Sequence, residues 1–295
     1  MSKLALGTVQ FGLDYGVSNQ SGKVDLTEAK AILSACNEFG IRSLDTAIDY
    51  GSSEQVLGII GISNFSVTTK LPHLDATDHE EISLLVENHI NQSLSNLKCR
   101  YLDAVLVHDT RNLLRSEGQI IWNSLKNAQM QLKVGKIGVS IYDPNELDLL
   151  EKRNIYPEIV QTPYNLFDQK IHDSGWLQKL FDRGVEIHAR SVLLQGLLLQ
   201  DEQHRDKYFR RWPEKFKQFR DLLKITESTP LEMSLQFALG NPLFTKIVVG
   251  VQSVEQLRDI ALIPLPPNDG INASHLACDD FDLIRPQNWR LEQRN

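Results

Sequence analysis

Residues 103–142, DAVLVHDTRNLLRSEGQIIWNSLKNAQMQLKVGKIGVSIY, contain the unit that decides the fold. Its ends, DAVLVHD (103–109) and KIGVSIY (136–142), are short apolar runs rich in β-branched residues, and residues 117–130 between them have a helical pattern. A strand, a helix and a second strand in this order predict two parallel strands joined by a crossover helix.

The same alternation extends outward from this unit over most of the chain. The other predicted strands are KLALGT (3–8), IRSLDTA (41–47), SVTTK (66–70), IVQTPY (159–164), VEIHARS (185–191) and KIVVGV (246–251). The predicted helices cover 26–39, 53–60, 79–97, 117–130, 144–152, 174–183, about 213–239 and 253–260. Eight strands, each followed by a helix, predict an α/β fold of the (β/α)8 TIM-barrel type, a parallel eight-stranded barrel. An open doubly wound sheet is the alternative.

The composition restricts the class of protein. No linker or break in composition divides the chain, so we expect residues 1–295 to form a single domain. The formal net charge of −7 argues against a general nucleic-acid binder. The three widely separated cysteines predict neither a disulfide framework nor a zinc site. Since no signal peptide and no membrane span is recognisable, a cytoplasmic protein without a membrane partner is the default expectation.

Four ionisable side chains fall at the ends of consecutive predicted strands. Asp45 ends the second strand and Tyr50 follows it, whereas Lys70 and His108 end the third and fourth strands. Each residue alone has a structural interpretation, such as a cap or a buried rim residue. Because the carboxyl ends of the strands form the active-site face of a TIM barrel, we expect the four to converge there.

These residue types suit the reduction of a carbonyl group. A free phenol has a pKa of about 10, and a nearby ammonium lowers it, so we expect Lys70 to lower the pKa of Tyr50. Asp45 can supply the counter-ion of Lys70, and His108 can direct an N–H at the substrate oxygen. The set predicts a proton donor for an oxygen that gains negative charge as hydride reaches the carbon.

Segments from residue 4 to about residue 260 resemble the aldo-keto reductase family in sequence and order: LGTVQFG, DTAIDYGSSEQVLG, TTK, LVHD, GVS, VQTPYN, SVLLQGLL and VVGVQSVEQL. The resemblance implies that Asp45, Tyr50, Lys70 and His108 form the catalytic tetrad of that family. It also implies an NADP(H) or NAD(H) cofactor in the barrel mouth. Consistently, no GxGxxG and no GxxxxGK[ST] occurs in the chain.

The resemblance further implies contacts to the nicotinamide. Ser140 and Gln161 match family residues that hold its amide, whereas Ile141 stands where the family has an asparagine. Arg190 stands where the family often has an aromatic residue that stacks on the nicotinamide ring. A guanidinium plane can also stack on a ring, so Arg190 either replaces that residue, faces the substrate or forms a structural salt bridge.

The resemblance implies the remaining cofactor contacts at the ends of the first, seventh and eighth strands. They are Gly7, Thr8, Ser191, Gln195, Gly196, Leu197, Gly250, Gln252, Ser253 and Gln256. Many relatives have a lysine or an arginine near the last group to bind the 2′-phosphate of NADP, but Arg258 is the nearest cation here. We therefore expect NADP(H) to be preferred to NAD(H), though less strongly than in the family.

The resulting prediction is an NAD(P)H-dependent oxidoreductase that reduces an aldehyde, a ketone or a sugar carbonyl, or catalyses the reverse reaction. The alternative is a catalytically silent member that binds the cofactor as a sensor or interaction subunit; the intact tetrad argues against it and the changed nicotinamide contacts argue for it. No metal is expected, because the histidines and carboxylates of residues 71–81 lack a metal-binding spacing. Asp78 is predicted to cap the following helix instead.

Two other segments allow two interpretations each. Residues 201–219 mix cations with aromatic residues and can either close over a substrate or form an amphipathic outer helix with solvated charges. The C-terminal tail, which includes Trp289, can pack across the barrel mouth or cover the outside of the barrel.

Overall fold

Eight parallel strands close into a barrel in the order of the chain. They are β1 (Leu4–Gly7), β2 (Ser43–Asp45), β3 (Ser66–Leu71), β4 (Leu102–Val107), β5 (Val134–Ser140), β6 (Ile159–Pro163), β7 (Glu186–Arg190) and β8 (Lys246–Gly250). In the computed structural model, which describes residues 2–19, 21–264 and 271–291, β1 pairs with both β2 and β8. The predicted (β/α)8 barrel is confirmed, and the alternative of an open sheet is wrong.

Helices surround the barrel and bury one apolar face each. They are α1 (Leu26–Glu38), α2 (Ser53–Ile60), α3 (His79–Leu97), α4 (Arg111–Leu114), α5 (Gly118–Met130), α6 (Asn145–Lys152), α7 (Lys170–Asp173), α8 (Trp176–Asp182), α9 (Pro213–Thr226), α10 (Pro230–Leu239), α11 (Val254–Ala261) and α12 (Phe281–Ile284). In α3, Ile82, Val86 and Ile90 are buried at the spacing of one helix face. Asp78 caps α3 by accepting hydrogen bonds from two backbone N–H groups of its first turn, as predicted.

The helix predicted over about 213–239 is two helices. Glu227 ends α9 in the left-handed conformation, with a φ of 51°. Thr229 then starts α10 with a capping box, because its side chain accepts from the Glu232 N–H while the Glu232 side chain accepts from the Thr229 N–H. Pro230 at the first helical position also favours a new start. Likewise, the helix predicted over 174–183 is preceded by α7, and Gly175 separates α7 from α8.

Residues 201–219 pack against the C-terminal segment (residues 271–291). Trp212 Nε1 donates to Asp280 Oδ2 at 2.9 Å, and the Arg211 guanidinium pairs with Asp282 at 2.9 Å. The Trp289 ring meets the Phe209 ring edge-on, with 4.8 Å between centroids. The contacts of 201–219 are therefore structural, and α9 with its solvated charges corresponds to the amphipathic interpretation.

None of the helices within the described ranges combines the length and apolarity that crossing a membrane requires.

Candidate active site

A cavity of about 510 Å³ opens at the carboxyl end of the barrel. It extends from the ends of β2 and β4 across β1 and β8 to the face of α11. Tyr50, Asp45 and His108 line one end of it. Ten of the thirteen predicted cofactor contacts also line it, namely Gly7, Thr8, Gln161, Arg190, Ser191, Gln195, Gly196, Gly250, Gln252 and Gln256.

Three predicted cofactor contacts do not line the cavity. Ser140 is buried at the end of β5, directly beside Gln161 of β6 in the strand register. Leu197 is fully buried in the core behind the loop that follows β7. Ser253 caps α11, since its hydroxyl accepts a hydrogen bond from the Gln256 N–H at 3.2 Å. These three side chains support the cavity wall rather than form its surface.

A buried ion pair lies beneath the cavity. Lys70, the penultimate residue of β3, is 1% exposed, and its Nζ contacts Asp45 Oδ1 at 2.6 Å and the Thr46 carbonyl at 2.9 Å. The second carboxylate oxygen of Asp45 accepts from Gln161 Nε2 at 2.6 Å. Side chains from β2, β3 and β6 thereby meet at one carboxylate, and burial keeps them in fixed positions.

Tyr50 lies above this pair, in the loop between β2 and α2. The Lys70 Nζ is 5.1 Å from the centre of its ring. The ring of His108, which follows β4, meets the Tyr50 ring edge-on with 5.8 Å between centroids. A Cβ on Gly12 would collide with the Tyr50 carbonyl oxygen, so glycine is required where the loop after β1 passes behind Tyr50. The structure brings all four tetrad candidates together.

The pKa of the Tyr50 phenol is raised above its ordinary value, chiefly by burial and then by the negative charge of Asp45. The expectation that Lys70 lowers this pKa is not met. The reason is that the Lys70 ammonium donates to Asp45 and to the Thr46 carbonyl, so its charge is compensated. Burial also lowers the pKa of Lys70 itself. Tyr50 is therefore a protonated phenol at neutral pH, the form in which it can donate a proton.

His108, whose ring meets the Tyr50 ring, is a neutral imidazole at neutral pH. Burial lowers its pKa below the ordinary value, and the nearby Asp49 carboxylate opposes that shift without reversing it. Its Nδ1 lies 3.7 Å from Asp49 Oδ2. This distance is too long for a hydrogen bond, so the single N–H of the neutral imidazole is not committed to Asp49 and can face a ligand.

Gln161 offers a ligand one unused acceptor. Its Nε2 donates to Asp45, so its Oε1 points away from that carboxylate, is buried and has no partner among the described residues. Buried amide oxygens are nearly always hydrogen-bonded in proteins. Because Gln161 lines the cavity, this oxygen fits a ligand with an N–H donor, such as a carboxamide.

Arg190 is the only lysine or arginine among the cavity-lining residues that the structure describes. Its guanidinium stacks on the Tyr142 ring at 4.2 Å and donates to the Ile141 carbonyl at 2.9 Å. No carboxylate within the described ranges forms a salt bridge with it, which removes the structural salt-bridge interpretation. Ile141, which replaces the family asparagine, is fully buried and presents only its backbone.

The loop after β7 is locked onto the loop after β1. Ser191, Leu194 and Gln195 have positive φ angles of 57°, 47° and 54°. The Gln195 carbonyl accepts from the Val17 N–H at 3.1 Å, and Gln195 Nε2 donates to the Tyr15 hydroxyl at 2.8 Å. These two loops form one wall of the cavity. Their contacts hold the loop after β7 in its unusual backbone conformation.

Several cavity-lining residues were missed by the sequence analysis, notably Gln10, Tyr15, Tyr142 and Asp259. Burial raises the pKa of Tyr15 to about 12, so its hydroxyl stays protonated at neutral pH and ionises only at high pH. Asp259 follows Gln256 at the i, i+3 spacing of one helix face, and that spacing could have identified it. No pattern in the sequence indicated Tyr15, because its position depends on the contact between two loops.

The histidine-rich segment after β3 forms surface pairs instead of a cluster. His73 lies 3.2 Å from Asp75 and 3.4 Å from Asp109. Within residues 2–19, 21–264 and 271–291, no three histidine, cysteine or acidic side chains are grouped as a metal would require.

The chain is similar to known proteins over most of its length. The model of the Aldo/keto reductase family matches residues 3–263. The chain is 25% identical over 293 residues to the L-glyceraldehyde 3-phosphate reductase of Escherichia coli (strain K12), covering 84% of this chain and 82% of that protein. It is 24% identical over 281 residues to the uncharacterized oxidoreductase YqkF of Bacillus subtilis (strain 168), covering 88% and 90%.

The fold is also that of solved structures. Aldo-keto reductase AKR11C1 from Bacillus halodurans (holo form) matches 97% of this chain and 95% of its own, with a TM-score of 0.73 and 19% identity. The glycerol dehydrogenase AKR11B4 from Gluconobacter oxydans matches all of this chain and 95% of its own, with a TM-score of 0.69 and 18% identity.

Proposed function

Because the chain belongs to the aldo/keto reductase family, whose members are carbonyl-reducing oxidoreductases, we propose that it transfers hydride between a nicotinamide cofactor and an aldehyde, ketone or sugar carbonyl. The observation that carries this proposal is the continuity of the cavity. One cavity contains the Tyr50 and His108 rings at one end and the polar face of α11 at the other. A dinucleotide is long enough to need such an extended site.

The residues present fit a nicotinamide dinucleotide. Gln161 Oε1 and Gln252 Nε2 are buried polar atoms of cavity-lining residues, and neither has a hydrogen-bond partner among the described residues. The first is an acceptor near the tetrad and suits the carboxamide of nicotinamide. The second is a donor near α11 and suits an oxygen or a nitrogen of the adenosine half. When bound, the cofactor supplies or accepts the hydride.

In this proposal the four tetrad residues act on the carbonyl oxygen. Tyr50 donates its phenolic proton as that oxygen gains negative charge, and in the reverse direction it accepts the proton. His108 orients the oxygen with an N–H, as a preorganised donor does in an oxyanion site. Lys70 and Asp45 are positioning residues in the unliganded protein, because their charges compensate each other below the phenol.

A small polyhydroxylated carbonyl compound is the substrate class that we favour. The L-glyceraldehyde 3-phosphate reductase of Escherichia coli is a relative that acts on such a compound by its name. The cavity surface near Tyr50 and His108 also includes Arg190, Tyr142 and Tyr15. These side chains can hydrogen-bond to hydroxyl groups or to an anionic substituent.

The experiment that tests the proposal is a survey of small aldehydes, ketones and sugars for consumption of reduced cofactor at 340 nm, made with the natural protein and with Tyr50→Phe. We expect at least one carbonyl compound to support turnover, and Tyr50→Phe to lower kcat at least about 100-fold while cofactor affinity stays nearly unchanged. Tyr156→Phe, which removes an exposed hydroxyl on the outside of the barrel, is the matched control and should change neither value.

The catalytically silent alternative makes the opposite forecast for the same experiment. Cofactor would bind, yet no carbonyl compound would be turned over at a rate above that of Tyr50→Phe. Turnover of comparable rate in the natural protein and Tyr50→Phe would contradict the role assigned to the phenol.

A further inference from the structure

The α11 end of the cavity carries one acidic side chain. Asp259 of α11 lines the cavity there, together with the neutral side chains of Gln252 and Gln256. Arg258, the cation on which the expected NADP(H) preference depended, does not line it. Among the described residues, the cavity surface at this end therefore carries a carboxylate and no lysine or arginine.

Three backbone donors at the start of α11 already have partners. The Val254 N–H donates to Glu28 Oε1 of α1 at 2.8 Å. The Gln252 N–H donates to the side-chain oxygen of Gln256 at 2.8 Å, and the Gln256 N–H donates to the Ser253 hydroxyl at 3.2 Å. A helix start can bind a phosphate through its N–H groups, but here the Glu28 carboxylate already accepts from one of them, the Val254 N–H.

One polar group at this end still lacks a partner. Gln252 Nε2 is buried and makes no hydrogen bond with the described residues. It is an uncharged donor, and with the Asp259 carboxylate it forms a donor and an acceptor on the same wall. This pair matches a hydroxyl group, which can accept one hydrogen bond and donate another.

The position of the nicotinamide at the Tyr50 end of the cavity determines which part of a dinucleotide reaches α11. On the proposed function, the nicotinamide lies beside Tyr50 and Gln161, so the adenosine ribose extends toward α11. We propose that this protein binds NAD(H) in preference to NADP(H), with Asp259 and Glu28 as the residues that determine the choice. The 2′-hydroxyl of NAD(H) can donate to a carboxylate, as it does to the acidic residue of other dinucleotide sites.

The α11 end of the cavity is unfavourable for the 2′-phosphate of NADP(H). This phosphate adds a charge of about −1.5 to −2 at neutral pH. At this end the cavity surface carries the Asp259 carboxylate and no compensating cation among the described lining residues, and the Val254 N–H is already bonded to Glu28. This inference reverses the sequence-based expectation, because that expectation counted Arg258 without knowing which side of α11 faces the cavity.

The test is a pair of fluorescence titrations of the whole protein with NADH and with NADPH, in low salt. We expect the Kd for NADH to be at least about 10-fold lower, which corresponds to about 1.4 kcal/mol. We expect Asp259→Asn and Glu28→Gln each to lower the Kd for NADPH several-fold, and their combination to lower it further. Asp221→Asn, which removes one exposed carboxylate of α9, controls for net charge and should leave both Kd values unchanged.

The outcomes separate this inference from the proposed function. An NADPH Kd equal to or below that for NADH overturns the inference while the nicotinamide site stands. Unchanged NADPH affinity in the double variant also overturns it, since the carboxylates would then not act. Absence of binding by either nucleotide overturns the proposed function and this inference with it.

Discussion

At the scale of single residues, the carboxylate of Asp45 organises the site. One of its oxygens accepts from Lys70 and the other from Gln161, both at 2.6 Å. Those two contacts explain why Lys70 does not lower the pKa of Tyr50 and why Gln161 exposes an oxygen to the cavity. The residue types could be predicted from the sequence, but the direction of their hydrogen bonds could not, because it depends on three strands meeting.

The buried Lys70–Asp45 ion pair leads to a prediction about the stability of the fold. Lys70→Met leaves the Asp45 carboxylate buried with Gln161 as its remaining side-chain donor, and breaking a buried ion pair typically costs about 3–5 kcal/mol. We expect the free energy of unfolding at pH 7, measured by urea denaturation, to fall by about 3 kcal/mol. Adding Asp45→Asn should restore part of the loss, because the unpaired charge disappears. A double variant no more stable than Lys70→Met would contradict the assignment of a charged pair.

The raised pKa of Tyr50 leads to a prediction about how kcat/KM depends on pH. The folded-state pKa is raised above the ordinary value of about 10, so the phenol stays protonated through neutral pH. Its proton is lost only as the pH rises beyond that value. The lowered pKa of His108 keeps its imidazole neutral above about pH 6.5. We therefore expect kcat/KM for carbonyl reduction to be flat from about pH 6.5 to 9. A decline with a midpoint near pH 8 would contradict this account of the proton donor.

At the scale of elements, the loop after β7 depends on Gly196. Its φ is 86°, and an added Cβ would collide with the Ser18 hydroxyl of the loop after β1. Gly184, before β7, has a similar φ of 71° but open space around it. The two positions therefore share the backbone strain that a side chain causes and differ in the loop contact.

This difference gives a matched pair of variants. We expect Gly196→Ala to separate the two loops and to raise the Kd for reduced cofactor about 10-fold, as measured by fluorescence titration. Gly184→Ala should lower the free energy of unfolding by about 1 kcal/mol and leave the Kd unchanged. Equal effects of both substitutions on cofactor affinity would show that the loop contact is unimportant.

Element boundaries show where the sequence is informative. The helices at 53–60 and 79–97 have the predicted bounds. Gly61, with a φ of 94°, follows the end of the first, and Asp78 caps the start of the second. The break between α9 and α10 was missed, although Thr229, Pro230 and Glu232 together are a helix-start pattern. The side of α11 that faces the cavity could have been assigned from the predicted contact Gln256, because Asp259 lies three residues further along the same helix face and Arg258 does not.

At the scale of the whole molecule, closure of the barrel brings distant residues together. Leu6 of β1 lies opposite Val249 of β8, so both ends of the matched region support the same cavity. We propose that residues 1–295 form one folding unit. Near-UV and far-UV circular dichroism should then report the same urea midpoint, whereas two separate transitions would indicate two units.

We propose that the barrel mouth holds a nicotinamide cofactor beside Tyr50, and a crystal structure of the protein with NADH is the decisive experiment. We expect the nicotinamide carboxamide to donate to Gln161 Oε1 and the adenosine ribose to lie against Asp259. A dinucleotide bound elsewhere, or bound with its adenosine end at Tyr50, would contradict the account.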